Sequence, residues 1–193
     1  MRTLAIVEFV TLDGVMQGLG SADEDRDGGF EHGGWGAPYG DAVLGQRAAT
    51  GMPSTTAYLL GRKTYEHMRA HWPHEPADNP IAAHLNATPK YVVTRTLQSV
   101  DWSGSQILHG DVVESVQSLK EEGEGTITVL GSGVLVQTLI ENDLIDEYSL
   151  FIHPLVLGTG KRLFRQTPRP LAMRLVDCTP TTTGVLLLSY RPA

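Results

Sequence analysis

Ala57-Tyr58-Leu59-Leu60-Gly61-Arg62-Lys63-Thr64 reads as a short buried strand that turns through a glycine into a helix opened by two cations and a hydroxyl. Tyr65 and Met68 continue that helix, and Trp72-Pro73 stops it. The same pattern recurs at Thr126–Leu130, which ends in Gly131-Ser132-Gly133 and leads into a helix with Leu135, Leu139 and Ile140 on one face. Outward from these two units, Thr3–Val10 is a nearly continuous apolar run, as expected of a strand covered on both faces. Asn79-Pro80 caps a short helix through His84, Lys90–Thr94 is a further strand and Ser105–Leu108 a weaker one. Asp111, with Glu114 three residues on, starts a helix carrying Val112, Val116 and Leu119. Glu147–Ile152, Leu171–Val176 and Gly184–Tyr190 are strands without a helix-length insert between them. Strands alternating with helices imply a mostly parallel sheet, and the helix-free end implies antiparallel additions. The expectation is one α/β domain over residues 1–193 around a mixed sheet.

The 193 residues carry 15 Lys+Arg against 22 Asp+Glu, and the excess acid is concentrated. Asp13, Asp23, Glu24, Asp25, Asp27 and Glu31 face only Arg26 within residues 13–31, inside a segment rich in glycine from Gly14 onward. A stretch of this length without periodicity is expected to be a binding loop or lid, and Phe30, Trp35 and Tyr39 give it apolar groups to seat. Pro38 fits the first turn of a helix running to about Thr50. The acidic balance without a Lys/Arg block argues against a nucleic-acid surface. No apolar run approaches the ~18 residues of a membrane span, and Glu8 interrupts the only candidate signal core, so a cytoplasmic protein is expected. Cys178 is the single cysteine, which excludes an intrachain disulfide and a cysteine-based zinc cage.

Chemistry concentrates at three strand ends: Gly61-Arg62-Lys63-Thr64, Thr94-Arg95-Thr96 and Gly131-Ser132-Gly133. Ligands of open α/β sheets bind outside the carboxyl ends of strands, so these can form one composite site. Glycines let backbone N–H groups approach a diphosphate at a helix N-terminus, while Arg62 and Arg95 supply guanidinium forks for a further phosphate. Two arginines with Thr64 suit the 2′-phosphate of NADPH better than the 2′-hydroxyl of NADH. Each piece also has a plain structural explanation: a tight turn for Gly131–Gly133, and a solvated helix start for Arg62 and Lys63.

These stretches carry a family resemblance. With Thr11-Leu12-Asp13-Gly14, the loop Asp27–Trp35, Leu59–Glu66, Lys90–Arg95, Val129–Gly133 and Leu144–Glu147 leading to Ile152–Gly160, the chain resembles dihydrofolate-reductase-like proteins. Among them it is most similar to stand-alone relatives of the reductase domain of riboflavin-biosynthesis deaminase-reductases. The resemblance implies a three-layer fold with a central mixed sheet, a homodimer, and hydride transfer from NADPH to a pterin- or pyrimidine-type heterocycle. It places Gly61, Arg62 and Thr64 near the adenosine phosphates, Thr94 and Arg95 beside the 2′-phosphate, and Gly131, Ser132 and Gly133 under the diphosphate. It also puts Phe30, Trp35, Leu157 and Gly158 at the lid and substrate. The chain departs from the riboflavin reductases by its Asp/Gly-rich insert at residues 18–36.

Hydride delivery needs a proton at the adjoining nitrogen. Asp13, on the turn after the first strand, is the first candidate donor, and Asp41, near a helix start, the second. Their structural alternatives are an Asx turn before Gly14 and helix-dipole stabilisation. His67, His71 and His74 have near-ligand spacing, but Trp72-Pro73 breaks the helix that would align them, so no metal is expected. A non-catalytic nucleotide-binding protein on the same fold is the alternative function.

Overall fold

The structure is a computed structural model that describes residues 1–193 other than 77, 166 and 168. Its centre is an eight-stranded sheet in the order β4-β3-β2-β5-β1-β6-β8-β7. The strands are β1 (Thr3–Thr11), β2 (Thr55–Gly61), β3 (Lys90–Val93), β4 (Ser105–Leu108), β5 (Thr126–Leu130), β6 (Glu147–His153), β7 (Met173–Pro180) and β8 (Leu186–Pro192). The helices are α1 (Ala42–Gly51), α2 (Arg62–His71), α3 (Pro80–Ala87), α4 (Val112–Glu121) and α5 (Gly133–Glu141). β1 to β6 run parallel and β8 and β7 antiparallel, as the alternation pattern implies.

The period-two alternation of the strands sorts side chains to two faces. On one, Leu4, Ile6 and Val10 of β1 join Leu59, Ile127 and Val129 beneath Val116 and Leu119 of α4 and Leu135, Val136 and Leu139 of α5. On the other, Tyr58, Leu60 and Val92 pack against Tyr65 and Met68 of α2 and Leu85 of α3. Val7 and Phe9 meet Val43 and Leu44 of α1 on that second face. The sheet is thus covered on both sides, which is why its central strands read as largely apolar runs. Each fully buried Leu or Ile contributes about 1.5–3 kcal/mol relative to exposure.

Caps settle the helix starts. Asp111 Oδ1 accepts from Val113 N (2.9 Å) and Glu114 N (3.1 Å), and Asn79 Oδ1 from Ile81 N (3.0 Å) and Ala82 N (3.3 Å). Several boundaries differ from expectation. Pro38 lies in a separate 3-10 turn, Ala37–Tyr39, and α1 starts only at Ala42, because Gly40 breaks the chain and Asp41 caps the helix through Val43 N (2.7 Å). α3 runs to Ala87 rather than ending near His84. β7 and β8 lie later than the apolar runs suggest, because Thr181–Val185 forms the turn between them: Gly184 has φ +85°, and Thr181 Oγ1 accepts from Val185 N at 2.9 Å. β7 is the outer strand, with Leu175, Val176 and Cys178 exposed. No helix among the described residues is long and apolar enough to cross a membrane.

Candidate functional site

Parallel pairing brings the carboxyl ends of β3, β2, β5, β1 and β6 to one edge of the sheet. The three predicted segments therefore lie side by side, and two interlock. Ser132 Oγ accepts from Gly61 N (2.9 Å) and donates to Leu130 O (3.0 Å), and Thr64 Oγ1 accepts from Ser132 N (3.1 Å). Gly131 and Ser132 are both left-handed, at φ +53° and +62°. Glycine suits position 131 because of its positive φ; a Cβ there would only make ordinary contact with Thr64 Oγ1, at 3.4 Å. The first turn of α5 has no side-chain cap, which leaves backbone N–H groups of Gly133 onward for an anion. The Ser132 and Thr64 hydroxyls shape the turn rather than face a ligand.

The basic groups differ in availability. Arg62 pairs with Glu66 one turn along α2 (3.1 Å), whereas Arg95 is exposed and has no ion-pair partner among the described residues. Thr94 Oγ1 accepts from Thr96 N and Leu97 N, both at 3.1 Å, so its hydroxyl holds the turn that presents Arg95.

The glycine-rich segment is folded, not open. Val15, Phe30 and Trp35 form a buried cluster against Phe9, Leu19, Leu155 and Leu157. Trp35 Nε1 donates to Gln17 O (2.7 Å), and Gln17 Nε2 donates to the carbonyls of Asp25 (3.1 Å) and Asp27 (3.0 Å). Behind them His153 is buried at the end of β6 with Trp35 and Tyr39 edge-on at 5.0 and 5.3 Å. Its Nδ1 lies 3.0 Å from Phe151 O, which can only accept, so Nδ1 carries the hydrogen. Burial lowers the pKa of this imidazole.

Acidic residues pin the segment down. Lys161 Nζ reaches Asp25 (2.6 Å) and Asp27 (2.8 Å), and Lys63 at the start of α2 binds the same Asp27 oxygen. The hydrogen bonds from Lys161 and Lys63 hold the Asp27 carboxyl at about 2. Beside this latch is a cavity of about 390 Å³ between Gln17, Asp27, Phe30 and the Thr159–Lys161 stretch. Replacing Asp27 by Asn should therefore free the lid. Trypsin is expected to cut after Arg26 severalfold faster than in the wild type, and added salt should speed wild-type cleavage more than that of the variant, which keeps only the Lys161–Asp25 pair. Equal rates would leave Asp27 without a latching role.

Both predicted proton donors turn out to be engaged as acceptors. Asp13 takes hydrogen bonds from Thr11 Oγ1 (2.6 Å), Gly158 N (2.9 Å) and Leu157 N (3.2 Å), with Arg162 at 3.3 Å. The Thr11 hydroxyl and the two backbone N–H groups lower its pKa to about 2. Asp41 caps α1 and accepts from the Thr182 hydroxyl and from Thr182 N (2.9 Å), and the Thr182 hydroxyl leads in lowering its pKa. Both carboxylates are thus held as acceptors with lowered pKa, which favours their ionised form near neutrality. Asp13 instead ties the turn after β1 to Leu157 and Gly158, two residues assigned from the sequence to the lid and substrate. The structure also exposes a residue that the sequence reading passed over. Glu8, within β1, is 2% exposed, and burial raises its pKa well above the ordinary carboxylate value. Its signal in the sequence is a lone charge inside an apolar strand.

A dihydrofolate-reductase-like sheet with a glycine turn and basic strand ends defines the class. Residues 2–187 match the RibD C-terminal domain, and the chain belongs to that family. Two Bacillus subtilis (strain 168) proteins, each described as uncharacterized, are similar to it. YyaP is 29% identical over 135 residues, 68% of this chain and 71% of its own. YwjB is 28% identical over 117 residues, 61% of this chain and 63% of its own. Among solved structures, a putative riboflavin biosynthesis protein from Shewanella sp. PV-4 superposes with a TM-score of 0.71 at 18% identity, covering 100% of this chain and 99% of that one. Dihydrofolate reductase from Enterococcus faecalis, complexed with NADP(H), superposes at 0.63 and 16% identity, covering 98% and 96%. At these identities the likeness establishes the fold, and the family is that of reductases.

Proposed function

We propose that this protein is an NADPH-dependent reductase of a small pterin- or pyrimidine-type heterocycle. The observation that carries the reading is the uncapped N-terminus of α5, set by the interlocked Gly61, Thr64 and Ser132 beside the free cation Arg95. These residues fit a dinucleotide: the α5 N–H groups and the left-handed Gly131-Ser132 turn would hold its diphosphate, and Arg95 with Arg62 the 2′-phosphate. NADPH, when bound, supplies the hydride. The chain's part is to orient the acceptor and exclude water, through Phe30 and Trp35 in the lid and the aromatic wall of Phe9 and Tyr39. With Asp13 and Asp41 ionised, the proton reaches the acceptor from water held at the cavity rather than from either carboxyl.

Because Asp13 and Asp41 are both held as hydrogen-bond acceptors, a second reading is a nucleotide-binding protein without turnover. Loss of nicotinamide absorbance with dihydrofolate or an aminopyrimidine substrate would support the reductase. Cofactor binding without any such loss, across pterins, pyrimidines and quinones, would support the binding protein. A cytoplasmic homodimer is part of the proposal: the exposed Leu175 and Val176 on the outer strand β7 offer an apolar edge for a second copy. Light scattering at twice the chain mass is the expected result, and a monomer would remove this part alone.

A further inference from the structure

Glu8 is a carboxyl buried within β1, with Oε1 shut off from solvent and without a hydrogen-bond partner among the described residues. Its place follows from the sheet. In β1 it alternates with Leu4, Ile6 and Val10, so it points to the face covered by α5. Val7 pairs with Leu130, which puts Glu8 level with Gly131, the first residue of the turn that opens α5. Met16 closes the same corner: a Cβ on Gly133 would meet its Sδ at 2.8 Å. A buried polar atom left unpaired in a native core calls for an explanation, and a ligand group is one.

The strand order says which ligand group. Along the carboxyl edge the sequence of strands is β3, β2, β5, β1. Arg95 follows β3, Arg62 follows β2 and the Gly131–Gly133 turn follows β5. A dinucleotide with its diphosphate at the turn and its adenosine phosphate at the arginines would continue along this order toward β1, the strand that carries Glu8. We infer that Glu8 is the residue that recognises the carboxamide of the nicotinamide ring, an assignment that rests on the proposed cofactor reading. A neutral carboxyl offers one O–H donor and one C=O acceptor, and a primary amide offers the complementary acceptor and donors. Burial raises the Glu8 pKa well above the ordinary carboxylate value, which favours this protonated form. An ionised carboxylate could not donate to the amide oxygen, and an apolar residue could do neither.

The test compares NADPH with 2′,5′-ADP, which keeps the adenosine phosphates and lacks the nicotinamide. Glu8→Met is expected to weaken NADPH binding tenfold or more, to leave 2′,5′-ADP binding as in the wild type, and to raise the melting temperature of the ligand-free protein by removing an unpaired buried carboxyl. Glu8→Gln, which keeps a donor and an acceptor, is expected to retain most of the NADPH affinity. On the wild type alone, an NADPH analogue with an acetyl group in place of the carboxamide should bind more weakly than NADPH, which keeps the question open to measurement should Glu8→Met not fold. The inference is overturned if Glu8→Met binds NADPH as tightly as the wild type, if it loses NADPH and 2′,5′-ADP equally, or if the acetyl analogue matches NADPH. Wild-type protein that binds neither ligand overturns the cofactor reading itself, and this inference with it.

Discussion

Replacing Arg95 by glutamate is expected to weaken NADPH binding by roughly ten- to a hundredfold, about 1.5–3 kcal/mol for lost charge-assisted hydrogen bonds to a phosphate. NADH, which has no 2′-phosphate, should be affected far less. Arg95 is singled out over Arg62 because it is exposed without an ion-pair partner among the described residues, while Arg62 already spends part of its guanidinium on Glu66 at 3.1 Å. Its presentation is also fixed, since Thr94 Oγ1 holds the backbone N–H groups of Thr96 and Leu97. Arg62→Ala should therefore discriminate between the cofactors less than Arg95→Glu does. Tryptophan-fluorescence titration of both cofactors at fixed ionic strength measures the effect, because salt screens an exposed phosphate contact. Equal weakening of NADPH and NADH would move Arg95 away from the 2′-phosphate.

What was legible in the sequence is what local chemistry dictates. A strand ending in glycine before a helix, as at Leu59–Thr64 and Leu130–Gly133, needs only neighbouring residues to be read, and both turns stand where expected. The adjacency of the two turns could also be anticipated, because parallel strands end on one edge. The function of the acidic segment could not. Asp27 meets Lys161, 134 positions away, and Asp13 meets Gly158, 145 positions away. The same two acids therefore read as solvated or catalytic in one dimension and act as a latch and a clamp in three. Reading Asp13 as a proton donor has the same root: an Asp before a glycine shows its carboxyl in the sequence but hides the two distant N–H groups that it accepts from.

The lid and the cofactor edge are mechanically joined through one residue. Lys63 stands beside Arg62 at the start of α2, where the proposed cofactor phosphates lie, and its ammonium is bound by the lid's Asp27. An incoming phosphate that attracts Lys63 competes with Asp27 for it. The acidic lid of a net-acidic protein is thus compatible with an anionic ligand: Asp25 and Asp27 are matched by Lys63 and Lys161 rather than directed at the site.

Lys90 should give the largest loss of stability of any single polar substitution in the chain. It is 0% exposed at the start of β3, on the edge of the sheet opposite the cofactor turns, and its Nζ donates to Thr88 O (2.7 Å), Ser103 O (2.9 Å) and Asn86 O (3.5 Å). The ammonium also lies 4.5 Å from the centre of the Trp102 ring, whose Nε1 donates to Asn86 Oδ1 at 2.7 Å. Lys90→Met fills nearly the same volume but leaves at least two carbonyls unpaired in the interior, at about 1–3 kcal/mol each. The expected cost is about 2–5 kcal/mol, or roughly 5–15 °C in melting temperature for a chain of this size. A pH series separates the charge from the packing. Burial lowers the lysine from 10.5 to about 8 in the folded protein. Between those values the unfolded chain binds more protons than the folded one, so this residue makes wild-type stability rise as pH increases from about 8 to 10.5. Below about 8 both states are protonated and the slope from Lys90 vanishes. Denaturant unfolding of wild type and Lys90→Met across this window should show the gap between them widening with pH, because the variant lacks the titrating group. A constant gap would mean that the lysine stays charged in both states and acts only through its carbonyl partners.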